Sequence, residues 1–252
     1  MHVMTLYQFE LCPFCNKARA GLDLRGLAYN AIEVNPMNKR EISHLEPDVD
    51  GRKKVPIIEV DGTVVRDSSA ILRWAEQRDG NEVRLLREQA ELKKRIEAIE
   101  TWVDDYLMKV LPAVLYGTWS QAIRAARLTA HSGNFSAFDN FKVSVFGSIV
   151  MKMIAKRTLK KMGQGASAEE LYAKGLDHLE SLIIDQCLVG SQPSLADACV
   201  HGALTCVKDF PAFQQAMGRP AIRVWYEHIE ALRVTGRAFA DTHLAANEKM
   251  AG

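Results

Sequence analysis

Apolar and polar positions follow two different periods along this chain, and the change between them divides it. Through residue 80, short apolar runs alternate with helix-length segments. Val3-Met4-Thr5-Leu6-Tyr7 predicts a strand. Residues 13–25 then carry Phe14, Cys15, Ala18 and Leu22 at helical spacing, with Gly26 to end them. Residues 28–34 predict a short buried strand, and 38–45 a brief helix that stops ahead of Pro47. The runs from Val55 to Val60 and from Thr63 to Val65 are joined by Asp61-Gly62, residue types that accept the positive φ of a two-residue hairpin turn. Ser68 opens a helix through Ile71, Leu72 and Ala75 to about Gln77. From Asn81 onward only the helical period remains. Leu92, Ile96, Ile99, Val103, Tyr106 and Val110 form one stripe, and Leu171, Leu176, Leu179, Leu182 and Ile183 another. Asp79-Gly80-Asn81 breaks the pattern and marks the join. The expected organisation is α/β plus all-α: a small domain over residues 1–80 and a helical domain over 81–252.

The candidate chemistry lies where the first strand meets the first helix, at Cys12-Pro13-Phe14-Cys15. A helix N-terminus presents unpaired N–H groups and the positive end of the macrodipole. Both favour a thiolate, so Cys12 is expected to titrate below a free thiol, whose pKa is about 8.5. Pro13 suits the first helical position, where its missing N–H costs nothing. Cys12 is then the exposed nucleophile, and Cys15, one turn further in, the partner able to resolve a mixed disulfide. Structural zinc also uses C-x-x-C, but it needs two more ligands, and no second Cys or His pair stands at suitable spacing. A strand, C-x-x-C and helix within a βαβ pattern point to a thioredoxin-like fold.

Composition narrows the rest. The 252 residues are 48% hydrophobic and 25% charged, as in a globular protein with a substantial core. A net charge of +1 gives no one-sided basic field, so nucleic acid is not an expected partner. The cysteines at 12, 15, 187, 199 and 206 form no disulfide framework, which suggests a reducing compartment. No basic and apolar leader is read ahead of the first strand, and the most membrane-like stretch, 143–151, is about half the length of a spanning helix. A cytoplasmic protein without a transmembrane segment is expected. No H-x-x-x-H, H-E-x-x-H, G-x-S-x-G or phosphate-cradling glycine loop occurs, which leaves serine hydrolysis and phosphoryl transfer without support.

Cys12-Pro13-Phe14-Cys15, Val55-Pro56 and Asp67-Ser68, in this order and spacing, resemble the glutathione-binding domain of the glutathione transferase and glutaredoxin families. Taken alone, Val55-Pro56 reads as an ordinary trans bond at a strand edge and Ser68 as a helix cap. The resemblance implies instead a cis bond at Pro56, with Val55 pairing its backbone with the cysteinyl part of glutathione. It implies that Asp67-Ser68 holds the γ-glutamyl end, that Phe14 also contacts the tripeptide, and that Cys12 faces its sulfur. Thr5-Leu6-Tyr7-Gln8, Glu33-Val34-Asn35-Pro36, Lys54-Val55-Pro56-Ile57, Asp67-Ser68-Ser69, Ser194-Leu195-Ala196-Asp197 and Trp225-Tyr226 extend the likeness to the type-2 membrane-associated prostaglandin E synthases. That branch isomerises a lipid endoperoxide. It carries a tyrosine three positions before its catalytic cysteine, where this chain has Phe9, and an N-terminal anchoring region not read here. It is also associated with haem, for which no residue of this chain is singled out.

The helical half adds fewer signals. Ser194-x-x-Asp197 reads as a structural capping box, and Cys199 and Cys206 as core. Tyr116 and Trp119 are read as core aromatics, with a pocket beside the thiol as the alternative. Residues 141–162 mix apolar and basic positions; the reading is a packed helix with a solvated face, with a membrane-surface contact or an interface with a second copy left open. The function expected is a glutathione-dependent thiol enzyme acting on a small apolar or disulfide substrate, as a homodimer. The alternative is a non-catalytic module that binds glutathione, with or without haem, or serves a membrane surface.

Overall fold

A computed structural model describes residues 4–36, 38–132, 149–153, 155–160, 162 and 165–251. Its first part is a four-stranded sheet in the order β2-β1-β3-β4, built from β1 (Met4–Gln8), β2 (Tyr29–Glu33), β3 (Ile57–Val60) and β4 (Thr63–Arg66). β1 runs parallel to β2 and antiparallel to β3, and β3 and β4 form the hairpin. Asp61 and Gly62 both have positive φ, 49° and 74°, as the Asp-Gly signal requires.

Period-two alternation sorts the strands onto two faces. Met4, Leu6 and Ile58 pack against Ala18 and Leu22 of α1 (Pro13–Leu24) and Ile71 and Ala75 of α2 (Ser68–Glu76). Tyr7 and Ile57 turn to the other face, where Val34, Ile42 and Leu45 cover them. Two local expectations are corrected. β2 is only half buried, because it is an edge strand with a neighbour on one side. The segment read as a helix over 38–45 contains a single 3₁₀ turn, Arg40–Ile42, entered through a left-handed Lys39.

The remaining described elements are helical: α3 (Ala90–Trp102), α4 (Met108–Tyr116), α5 (Trp119–Ser132), α6 (Ala168–Leu182), α7 (Leu195–Cys206), α8 (Pro211–Met217) and α9 (Pro220–Ala251). A π-helical turn, Val103–Leu107, joins α3 to α4. Of the basic segment 141–162, the part before 149 lies outside the described residues. Ile149, Val150 and Met153 are exposed, whereas Met151, Leu159 and Met162 pack on the core.

One apolar cluster runs through both parts of the chain, taking Leu11, Ala20, Leu24 and Leu72 together with Leu107, Leu111, Cys199 and Leu204. α7 lies so close to α1 that a Cβ on Gly202 would overlap the backbone of Asn16 and Lys17. Asp197, fully buried at the start of α7, accepts from Ser194, from the Leu188 N–H at 3.0 Å and from the Trp225 indole at 2.9 Å. Beyond α1, the Arg25 guanidinium donates to the carbonyls of Arg78, Asn81 and Val83, so the join between the two parts is gripped by the thiol helix. At the same end, Arg233 and Arg237 of α9 both reach Asp23 at 2.6 Å. Among the described residues no helix is long and apolar enough to cross a membrane.

Gly202→Ala is expected to lower stability by about 1–3 kcal/mol, because backbone rather than a flexible side chain must yield. Urea unfolding of the two proteins side by side measures this, and an unchanged midpoint would contradict the close helix approach.

Candidate active site

Strand register brings the separate motifs to one edge of the sheet. β1 ends at Gln8, and its Tyr7 pairs with Ile57, the first residue of β3; Ile57 pairs in turn with Arg66, the last of β4. The segment after β1, the Val55–Pro56 peptide and Asp67-Ser68 therefore emerge side by side. The Val55–Pro56 bond is cis, as the resemblance implies.

Cys12 is the N-cap of α1, and Pro13 occupies the first turn. The Cys15 N–H donates to Cys12 Sγ at 3.4 Å, while Cys15 Sγ accepts from the Phe9 N–H at 3.4 Å. Cys12 is partly exposed and Cys15 fully buried. The hydrogen bond from Cys15, joined by the backbone N–H groups of Cys15 and Phe14, holds the Cys12 thiol below its ordinary range against the effect of burial. Burial pushes the Cys15 thiol up, and its bond to Cys12 pushes it further. One sulfur is set to ionise and the other to stay protonated. Phe14 stands 37% exposed between them, open to a ligand.

The loop under this pair is fixed from several sides. Asn16 Nδ2 donates to the carbonyls of Glu10 and Cys12 at 2.8 and 3.1 Å, and Arg19 is held by Glu10 and Asn16. Cys206 Sγ donates to the Leu11 carbonyl at 3.1 Å, so a thiol assigned to the core reaches the residue next to Cys12.

At the start of α2, Asp67 rather than Ser68 is the N-cap. Its φ is 75°, and its carboxylate accepts from the N–H groups of Ser69 and Ala70 at 2.9 and 3.1 Å. Ser68 is the first helical residue, 2% exposed, and its hydroxyl has no hydrogen-bond partner among the described residues. A buried unpaired hydroxyl at a helix N-terminus fits an incoming carboxylate. Glutathione, whose γ-glutamyl end carries one, therefore fits the residues present.

No comparable set of residues for haem stands out. Of the described histidines, His201 is sealed beside Arg233 and Tyr226, His44 lies beside Tyr7 and Glu59, His178 meets the Trp102 ring edge-on, and His228 is half-buried on α9. The cavity of about 580 Å³ beside Leu11 is walled largely by charge, including Arg19, Lys208, Asp209 and Arg237, which does not suit an apolar macrocycle.

One group of residues escaped the sequence reading. Lys17, fully buried in α1, donates to Ser69 Oγ at 2.8 Å, to Glu100 at 3.2 Å and to Asp104 at 3.0 Å, and Arg73 meets Glu100 at 2.6 Å. The available signal was Glu100, which falls four residues after Ile96 at a stripe position reserved for apolar side chains. Tyr116 is the core aromatic that the sequence predicts. It is buried, with its phenol pushed up by burial and by the nearby Cys206 and Cys12, and its hydroxyl makes no hydrogen bond among the described residues. Trp119, read as core, is instead 57% exposed, with Lys152 over its ring.

Comparison with known proteins places these features among relatives. The family described as "Glutathione S-transferase, N-terminal domain" matches residues 6–83. Prostaglandin E synthase 2 of Danio rerio is 28% identical over 269 residues, covering 90% of this chain and 70% of that protein. Glutaredoxin 1 of Rickettsia conorii is 32% identical over 89 residues, which is 35% of this chain and 85% of the glutaredoxin. Among solved structures, glutathione S-transferase-I bound with lactoylglutathione superposes with a TM-score of 0.60 at 19% identity, covering 94% of this chain and 99% of its own.

Alkylation followed against pH and read by peptide mass should show Cys12 reacting with a midpoint below the ordinary thiol value of about 8.5, with Cys15 unreactive there. Cys15→Ala should move the Cys12 midpoint upward. Equal midpoints for the two sulfurs would remove the basis for an asymmetric pair.

Proposed function

The chain belongs to the glutathione transferase superfamily, its amino-terminal part glutaredoxin-like, and from that membership we propose that it is a glutathione-dependent thiol enzyme with Cys12 as nucleophile. The observation that carries the reading is the meeting of a partly exposed, easily ionised Cys12 with cis-Pro56 and the buried, unpaired Ser68 hydroxyl along one sheet edge. In this reading glutathione lies extended along Val55 and Pro56, its γ-glutamyl carboxylate at the N-terminus of α2 and its cysteinyl part beside Phe14. Residues 1–80 hold the tripeptide, and the helices of 81–252 shape the space for the second substrate.

The Cys12 thiolate attacks the glutathione sulfur of a mixed disulfide R–S–S–G. A bond forms between Cys12 and the glutathione sulfur, the S–S bond of the mixed disulfide breaks, and R–S⁻ leaves to take a proton. The thiolate of a second glutathione then attacks the glutathione sulfur of the Cys12 adduct. Glutathione disulfide departs and the Cys12 thiolate is restored. Cys15 provides the other exit: its sulfur attacks Cys12, frees glutathione and leaves an internal disulfide that further glutathione reduces. Cys15 is buried and holds its proton firmly, so the first exit carries most of the turnover. Thiol chemistry of this kind suits a reducing compartment such as the cytoplasm.

A second reading, isomerisation of a lipid endoperoxide, is favoured by the likeness to prostaglandin E synthase 2 across 90% of the chain. Phe9 offers no hydroxyl for such a reaction. Tyr116 supplies one in the neighbourhood of Cys12.

Glutathione-dependent reduction of a small mixed disulfide separates these readings. Cys12→Ser should lose roughly three orders of magnitude in kcat/KM, while Cys15→Ser stays within about tenfold of wild type. Equal turnover by wild type and Cys12→Ser would refute the nucleophile assignment.

A further inference from the structure

A total charge close to zero hides a strong local imbalance. Residues 110–168 carry eight Lys or Arg and a single Asp, a net of +7, so the remaining residues together carry −6. In the described part of that region the cations stand on two outward faces. α5 turns Ala122, Ala125 and Ala126 inward and presents Trp119, Ile123, Arg124 and Arg127 to solvent. Residues 149–153 and 155–160 are also helical. Met151, Ala155 and Leu159 meet the core, whereas Ile149, Val150, Met153, Lys156, Arg157 and Lys160 are exposed. Lys152 joins the two faces: it donates to the Gly117 carbonyl, with its ammonium group 5.7 Å from the centre of the Trp119 ring. Neither face holds an Asp or Glu.

A face meant only for water would be polar throughout, and this one is not. Of the ten large apolar side chains exposed among the described residues, five belong here, with Trp119 57%, Val150 53% and Met153 67% exposed. The Lys152 contact sets Trp119 beside 149–153, and the other cations follow one to two turns further along their own helices. A shallow hollow of about 720 Å³ opens among Ser120, Ile123, Arg124 and Arg127. An apolar patch rimmed by polar groups marks an interaction site, and charge selects the occupant. Six cations without an acid repel a second copy of the same face. Nucleic acid would pair with the cations but offers Val150 and Met153 nothing apolar to enter. The boundary of an anionic bilayer suits both sets, because Trp and aliphatic side chains lodge beneath the headgroups while Lys and Arg reach the lipid phosphates.

We propose that this face docks on a membrane surface rich in anionic phospholipid. Trp119, Ile123, Val150 and Met153 enter the boundary between headgroups and acyl chains, and Arg124, Arg127, Lys156, Arg157 and Lys160 pair with the anionic headgroups. The contact is peripheral and reversible, since no described helix is long and apolar enough to cross the bilayer. None of these side chains takes part in the thiol chemistry proposed above, so the inference stands independently of that reading.

The test co-sediments the full chain with vesicles of phosphatidylcholine alone and with vesicles of an equal mixture of phosphatidylcholine and phosphatidylserine. Wild type should bind the mixed vesicles at least about tenfold more tightly than the neutral ones. That preference should largely vanish between about 0.1 M and about 1 M salt, as the screening length falls from ~10 Å to ~3 Å. Lys156→Gln, Arg157→Gln and Lys160→Gln combined should weaken binding about a hundredfold, each cation near the surface contributing about fivefold. Val150→Ser with Met153→Ser should weaken it about tenfold and leave its salt dependence unchanged. These five positions are exposed, so the urea midpoint should stay where it is. Equal binding to both vesicles by wild type, or binding to neither, would overturn the proposal before any variant is made. So would a triple variant that binds the mixed vesicles as wild type does. Full vesicle binding by Val150→Ser/Met153→Ser together with dissociation of a dimer in sedimentation velocity would assign the face to a second copy. Full binding of that variant to both vesicles and duplex DNA would make it a general polyanion contact without insertion, and either result also overturns the proposal.

Discussion

A fully buried ammonium group, Lys17 Nζ, sets the geometry on which the site depends. Moving such a charge out of water costs several kcal/mol unless it is paired and hydrogen-bonded. Lys17 lies on the thiol helix, Ser69 at the start of α2, Glu100 on α3 and Asp104 in the turn that follows. Satisfying one cation therefore obliges these elements to converge on a single point. The N-termini of α1 and α2 are fixed relative to each other by the same contacts, which places Cys12 and Ser68 along one edge. Charge pairing here determines position more than stability, because a well-packed apolar group of the same size could match its net contribution.

The sheet and the charged corner divide the work. Strand register delivers Cys12, Pro56 and Asp67 to neighbouring exits. Local hydrogen bonding then separates two chemically identical thiols. Cys12 accepts an N–H and keeps access to solvent, while Cys15 one turn later is sealed inside. Asp197 plays a comparable part for α7: donors from three residues converge on one buried carboxylate and fix the helix against which α1 lies.

Signals that act over a few residues were legible in the sequence. Asp61-Gly62 fixed its hairpin because both positions tolerate positive φ, and Pro13 marked the first turn of α1 because it lacks an N–H. The α/β-then-helical order followed from the change of period. What depends on distant neighbours was not legible. Asp67 and Ser68 are both good caps, and the positive φ of Asp67 decided between them. β2 looked like a buried strand because an apolar run does not reveal that its strand lies at an edge. Lys17, Glu100 and Asp104 were not singled out, since their pairing spans more than eighty residues of chain. Tyr116 and Trp119, three residues apart, took opposite environments because α4 ends between them.

The bare backbone at Gly202 has a mechanical consequence. With α7 seated directly on the chain of Asn16 and Lys17, the sheet and its helices cannot swing open like a jaw against the helical part. Any opening of the molecule must take place away from this seam, in elements that do not bear on it, while the hub where the two helices touch stays shut.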